Sequence, residues 1–261
     1  MPIRMTPTLR DELAAASRPL VGMWLSTGSP LVAELCAGSG LDWVLIDAEH
    51  GPNDLTSILP QLQAIAAYPV TALVRPPIGD AVLIKQYLEI GAQNLLIPLC
   101  DTAEHATELV RAVRYPPQGV RGVGSSLGRS SRWGRVGDYM ANAGDAGSLY
   151  LQIETAVSVG NVEAILAVDG VDGIFVGPAD LAASMGHLGE SGHPDVVAAV
   201  EGCLALARAA GKPAGVYAAD PELADRYITA GAAFVCVGAD VTILARGTEA
   251  LAARFIGRSG T

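Results

Sequence analysis

DWVLIDAEHGPND (42–54) sets the reading of this chain. Trp43–Asp47 is a short, unbroken apolar run that ends on an acid. Turn formers follow (HGPND, 50–54), and then an amphipathic helical pattern, NDLTSILPQLQAIAAY (53–68). An unbroken run, rather than an alternating one, is what a parallel strand buried on both faces requires. Seven other runs share this form: VGMWLS (21–26), TALVR (71–75), NLLIP (94–98), LYLQIE (149–154), GIFVG (173–177), AGVYA (214–218) and FVCVG (234–238). Helical patterns separate them. Ser29–Pro30 opens one as an N-cap and first-turn pair, and several end on glycine. Strand–helix alternation repeated eight times predicts an α/β fold, a (β/α)8 TIM barrel, over an open doubly wound sheet.

The whole chain, 1–261, reads as one barrel domain, a size such barrels commonly reach. Half of its residues are hydrophobic, enough for a large core. A net charge of −10 disfavours nucleic-acid and anionic-membrane surfaces. No run approaches the roughly 18 apolar residues of a membrane span, and the first 19 residues show no signal-peptide core. Cys36, Cys100, Cys203 and Cys236 are scattered without a CxxC, as reduced core residues of a cytoplasmic protein would be. One connection is unusually long: residues 115–147 are rich in Gly, Ser and Arg, with Arg121, Arg129, Arg132 and Arg135 available to bond loop carbonyls, a neighbouring subunit or a phosphate.

Barrel active sites lie at the C-terminal ends of the strands. Asp47, His50, Arg75, Glu154 and Asp180 fall at or just past such ends, on the second, third, fifth and sixth strands. Two carboxylates on adjacent strands, Glu154 and Asp180, without nearby His or Cys, suit a hard divalent cation with oxygen ligands. His50 is the best general base, since imidazole titrates nearest neutrality. His105 falls in a helix, and His187 and His193 flank the loop after GPAD as weaker candidates. Arg75, held between a buried strand and Pro76–Pro77, offers a permanent cation for an oxyanion. The only lysines are Lys85, in a helix, and Lys212, ahead of a strand on the opposite face. Neither can form an imine at the rim, so enolate chemistry needs a metal as electron sink.

GMWLSTGSP (22–30), DWVLIDAEHGP (42–52), LVRPP (73–77), IGAQNLLIP (90–98), RYPPQGVRGVG (114–124), LQIET (151–155) and DGIFVGPADLAASMG (172–186) resemble the HpcH/HpaI aldolase family. The nearest branch is that of the 4-hydroxy-2-oxoheptanedioate aldolases. The resemblance implies a barrel of the phosphoenolpyruvate/pyruvate-binding type and a class II pyruvate aldolase. Such a lyase cleaves 4-hydroxy-2-oxo acids reversibly into pyruvate and an aldehyde. It implies a divalent metal (Mg2+, Mn2+ or Co2+) on Glu154 and Asp180, a base at His50 and an enolate-stabilising Arg75. Asp47 would act through metal-bound water and Gln152 through the substrate's water network. The backbone at Gly177, Pro178 and Ala179 would hold the pyruvate carboxylate, with Trp24 in the pocket wall. It further implies a homohexamer, a trimer of dimers, with the last helix exchanged between subunits.

Two positions depart from that branch. Glu89 stands where an aspartate supports the histidine of a neighbouring subunit, and Tyr217 stands where a smaller aliphatic residue lines the aldehyde side. A coenzyme A ester lyase, a sugar-acid (2-dehydro-3-deoxy) aldolase and a non-catalytic barrel are the alternatives.

Overall fold

The computed structural model describes residues 5–256; the outermost residues of the expected 1–261 domain lie outside them. In chain order the elements are α1 (Leu9–Ala15), β1 (Leu20–Leu25), α2 (Pro30–Ala37), β2 (Trp43–Asp47), α3 (Leu55–Ile65), β3 (Thr71–Arg75), α4 (Ala81–Glu89), β4 (Asn94–Ile97) and α5 (Ala103–Val113). Then come β5 (Ser148–Ile153), α6 (Ala156–Gly160), α7 (Val162–Leu166), β6 (Gly173–Val176), α8 (Pro178–Ser184), α9 (Pro194–Ala209), β7 (Ala214–Tyr217), α10 (Pro221–Ala230), β8 (Phe234–Ala239) and α11 (Asp240–Phe255). All eight expected strands are present, each parallel to its neighbours, and β8 closes on β1. Ser29 caps α2 as expected, accepting from Val32 N–H.

Strand geometry explains what faces where. Successive side chains point to opposite faces of a strand. On β2, Val44 and Ile46 join the layer between sheet and helices, whereas Trp43 and Leu45 join a separate cluster inside the barrel. The same parity sends Leu73, Tyr150, Phe175, Phe234 and Cys236 inward. The aromatic members pack edge-on or tilted: Trp43–Phe234 at 5.7 Å between centroids, Tyr150–Phe234 at 5.3 Å and Phe175–Phe234 at 5.6 Å. Their bulk requires glycine opposite. A Cβ on Gly22 would lie 2.2 Å from the Trp43 ring.

The sequence reading passes over α1, although Thr8 and Asp11 form a capping box at its start. α1 seals the base of the barrel: Leu9 is fully buried in the inner cluster, and its N–H donates to Asn94 Oδ1 at 2.9 Å. The 115–147 connection contains two single turns of 3-10 helix (Ser125–Leu127 and Arg129–Ser131). Three of its arginines are spent on the protein's own polar groups, and exposed Arg135 lies over the Trp133 ring at 5.7 Å. Arg129 donates to the carbonyls of Leu62 and Ile90, Arg132 to that of Arg129, and buried Arg121 pairs with Glu89 at 3.0 Å. Among the described residues no helix is long and apolar enough to cross a membrane.

Candidate active site

The inward parity that places Trp43 and Leu45 inside the barrel places Asp47 at its top, and β3 does the same with Leu73 and Arg75. The two are register partners across β2 and β3. Arg75 is buried and doubly paired to Asp47, Nε to Oδ1 at 2.9 Å and Nη2 to Oδ2 at 2.9 Å. Its third nitrogen, Nη1, meets Glu49 Oε2 at 2.8 Å and Gln152 Oε1 at 3.4 Å. The guanidinium carbon lies over Trp24, 4.0 Å from the ring centroid, and Trp24 in turn leans on Tyr217 at 5.0 Å. An arginine held on three sides keeps one geometry, which a charge developing beside it requires.

β5 carries Tyr150 and Gln152 on the inward parity, and Glu154 continues it one residue past the strand's end. Glu154 is buried, and its Oε1 accepts from Leu99 N–H at 2.7 Å, while Oε2 is bonded by Gln152 Nε2. Leu99 holds a left-handed backbone, φ 56°, that aims its N–H there. Burial pushes the Glu154 carboxyl up to about 7, and the nearby carboxylates of Glu49 and Asp180 push the same way. Glu49 is raised too, mainly by burial, against the pull of Arg75. Asp180, at the start of α8, is exposed.

Among the described residues no basic side chain is paired with Glu154 or Asp180. Two acids converging without a cation form a donor set that lacks a positive charge, and all its donors are oxygens. Gly177 completes the opening: a Cβ there would lie 2.9 Å from both Gln152 Nε2 and Glu154 Oε2. The residues present therefore fit a divalent cation held by Glu154 and Asp180, with Glu49 beside them.

His50 stands just past β2, well exposed, with Nε2 3.8 Å from Glu49 Oε2. Sequence reasoning missed Glu49, which lies against His50 and Arg75 and adds its charge near Glu154 and Asp180; its position between two selected residues in DAEH was the available signal. It also missed Leu99, which contributes only a backbone N–H. Of the three residues expected to hold a carboxylate, Gly177 N–H is already donated to Ile153 O, Pro178 has no N–H, and Ala179 alone keeps an amide for the purpose.

The chain does not bring Glu89 to His50. Glu89 ends α4 and so lies near the start of β4, toward the base; its carboxylate is bonded by Arg121 and Ser130, each at 3.0 Å. A cavity of about 810 Å3 also lies at the base and contains none of the rim residues. Its cations are already paired: Arg10 with Asp172, Arg114 with Asp169, and Lys212 with the Val168 carbonyl. It offers no reactive constellation, and it fixes Lys212 far from the rim.

A family profile described as HpcH/HpaI aldolase/citrate lyase matches residues 20–247. The chain belongs to the HpcH/HpaI family. It is 54% identical over 261 residues to the hydroxypyruvate/pyruvate aldolase of Deinococcus radiodurans, covering 99% of this chain and 94% of the relative. It is 54% identical over 251 residues to the 4-hydroxy-2-oxo-heptane-1,7-dioate aldolase of Klebsiella pneumoniae, covering 96% and 94%. A solved HpcH/HpaI aldolase/citrate lyase family protein from Burkholderia cenocepacia superposes with a TM-score of 0.89 at 42% identity, covering 93% of this chain and 96% of the other.

Proposed function

We propose that the protein is a class II pyruvate aldolase that cleaves 4-hydroxy-2-oxo acids reversibly into pyruvate and an aldehyde. The observation that carries this reading is the pairing, on one rim, of cation-deficient Glu154 and Asp180 with an immobilised Arg75. A divalent cation bound by the two acids would supply the Lewis acidity that draws electrons toward the 2-oxo group. Glu154, held by Leu99 and Gln152, keeps its carboxylate turned toward that position. Arg75 faces the oxygen that becomes the enolate, and Asp47 with Glu49 prevents it from swinging away.

His50, exposed at the mouth, takes the proton of the C4 hydroxyl. The C3–C4 bond then breaks, its electrons pass to C3 and the 2-oxo oxygen, and the aldehyde departs. The enolate carbon takes a proton and pyruvate leaves. Ala179 N–H is the amide available to the substrate carboxylate, and Trp24 and Tyr217 wall the side on which the aldehyde lies.

A homohexamer is the assembly we assign. α11 buries only Asp240 on its own chain and leaves Ile243, Leu244, Leu251 and Phe255 exposed, a face suited to a neighbouring copy. The reading keeps Glu89 as a partner for His50 of such a copy, a contact one chain does not build. The test is an aldehyde panel with pyruvate and with hydroxypyruvate, run with Mg2+ or Mn2+ and again after chelation. Metal-restored product is expected; no product with any pair, or full turnover in chelator, contradicts the reading.

A further inference from the structure

A second set of ligating side chains lies outside the rim, on the loop between α8 and α9. Two consecutive turns share Glu190: its N–H donates to His187 O at 2.9 Å, and His193 N–H donates to Glu190 O at 2.8 Å. The two turns bring His187, Glu190 and His193 together. One ligand atom from each of His187, Glu190 and His193 lies within 4.8 Å of the others. The two imidazoles are stacked, centroids 3.6 Å apart and planes 15° from parallel. Asp195 stands beside both, its Oδ2 3.4 Å from His187 Nε2 and 3.7 Å from His193 Nδ1.

From this geometry we infer that His187, Glu190 and His193 form a second cation site, selective for a borderline divalent transition metal such as zinc. Two imidazoles and one carboxylate are a zinc-type donor set, unlike the all-oxygen rim, and three protein ligands leave a fourth position open. Donors about 2.0–2.2 Å from a zinc lie within 4.8 Å of one another, the bound these three satisfy, and partly exposed residues on a loop have room to adjust. Asp195 is placed to orient the rings, as carboxylates beside metal-bound histidines do. Binding has a local consequence. His193 Nδ1 now accepts from Asp195 N–H at the start of α9, and a neutral imidazole has a single lone pair. The metal therefore takes that cap's place or forces the ring proton onto Nδ1.

Equilibrium dialysis of the chelator-stripped protein against zinc in excess Mg2+, with metal analysis, tests this without reference to activity. One zinc per chain is expected to be lost in His187→Ala combined with His193→Ala. It is expected to persist in Glu154→Gln combined with Asp180→Asn. His187→Ala alone, which leaves the cap of α9 intact, should weaken zinc binding at least tenfold. Equal zinc in wild type and both histidine variants overturns the site. So does the absence of zinc in wild type, or its loss only when the rim acids are changed.

Discussion

The lower and upper halves of the barrel interior come from the same strands and the same side-chain parity, yet they do opposite things. Trp43 and Asp47 share β2, Leu73 and Arg75 share β3, and Tyr150 shares β5 with Gln152. Inward positions are two residues apart, about 6.6 Å along a strand. Within that distance the lining changes from interlocked rings, fully buried, to a ring of acids around one guanidinium. The base is held by apolar area and close packing. The rim is held by charge pairs that leave two acids uncompensated, so it stores a binding capacity at some cost in stability.

That division can be broken most sharply at His50. It is exposed and pairs only loosely with Glu49, so His50→Ala should slow aldol cleavage about 10²–10⁴-fold, as loss of a general base does. Thermal melting should be unchanged, and metal binding, read by dialysis, should persist. A melting temperature lowered by several degrees would show that the rim does support the fold.

Phe175→Ala sharpens the other half. Phe175 is fully buried against Trp43 and Phe234, and the cavity left should cost about 3–5 kcal/mol of unfolding free energy. Denaturant titration measures this. Turnover per folded molecule should stay within a few-fold, since the ring lies one layer below the chemistry.

Arg75→Ala sits between the two. It removes the oxyanion partner, about 3 kcal/mol of barrier, and it also leaves buried Asp47 without its cation. Both the rate and the denaturation midpoint should fall, and Arg75→Lys should recover more stability than rate, because an ammonium cannot make the two-pronged pairing. Loss of rate alone would mean that Asp47 finds another partner.

Much of this was legible before the structure. Eight unbroken apolar runs announce strands buried on both faces, and acids or arginine closing those runs must stand on one rim. Asp47, His50, Arg75, Glu154 and Asp180 followed from position alone. What was not legible depends on atoms brought together from afar. Leu99 acts through its backbone, which no side-chain pattern marks. Glu49 gains meaning only because Arg75 has a third nitrogen left over from Asp47. That Glu89 is bonded by Arg121 and Ser130 within its own chain depends on the 115–147 segment, which no local pattern connects to it. α1 was passed over because a helix ahead of the first strand belongs to no strand–helix repeat.

Glu154 offers the most direct test of the division between a stabilising base and a reactive rim. Its carboxyl is raised from 4.5 to about 7, so the folded protein holds that proton more tightly than the unfolded chain. Without metal, the stability present below pH 4.5 should fall away as pH rises to about 7, by about 3 kcal/mol at most. Glu154→Gln carries no such charge. Denaturation in chelator across pH 4.5–8, with turnover measured after metal is restored, is the measurement. The account predicts a variant at least as stable as wild type at pH 7.5, lacking the wild-type fall between pH 4.5 and 7, and without metal-dependent turnover. A variant that turns over normally, or that is less stable than wild type at pH 7.5, would contradict it.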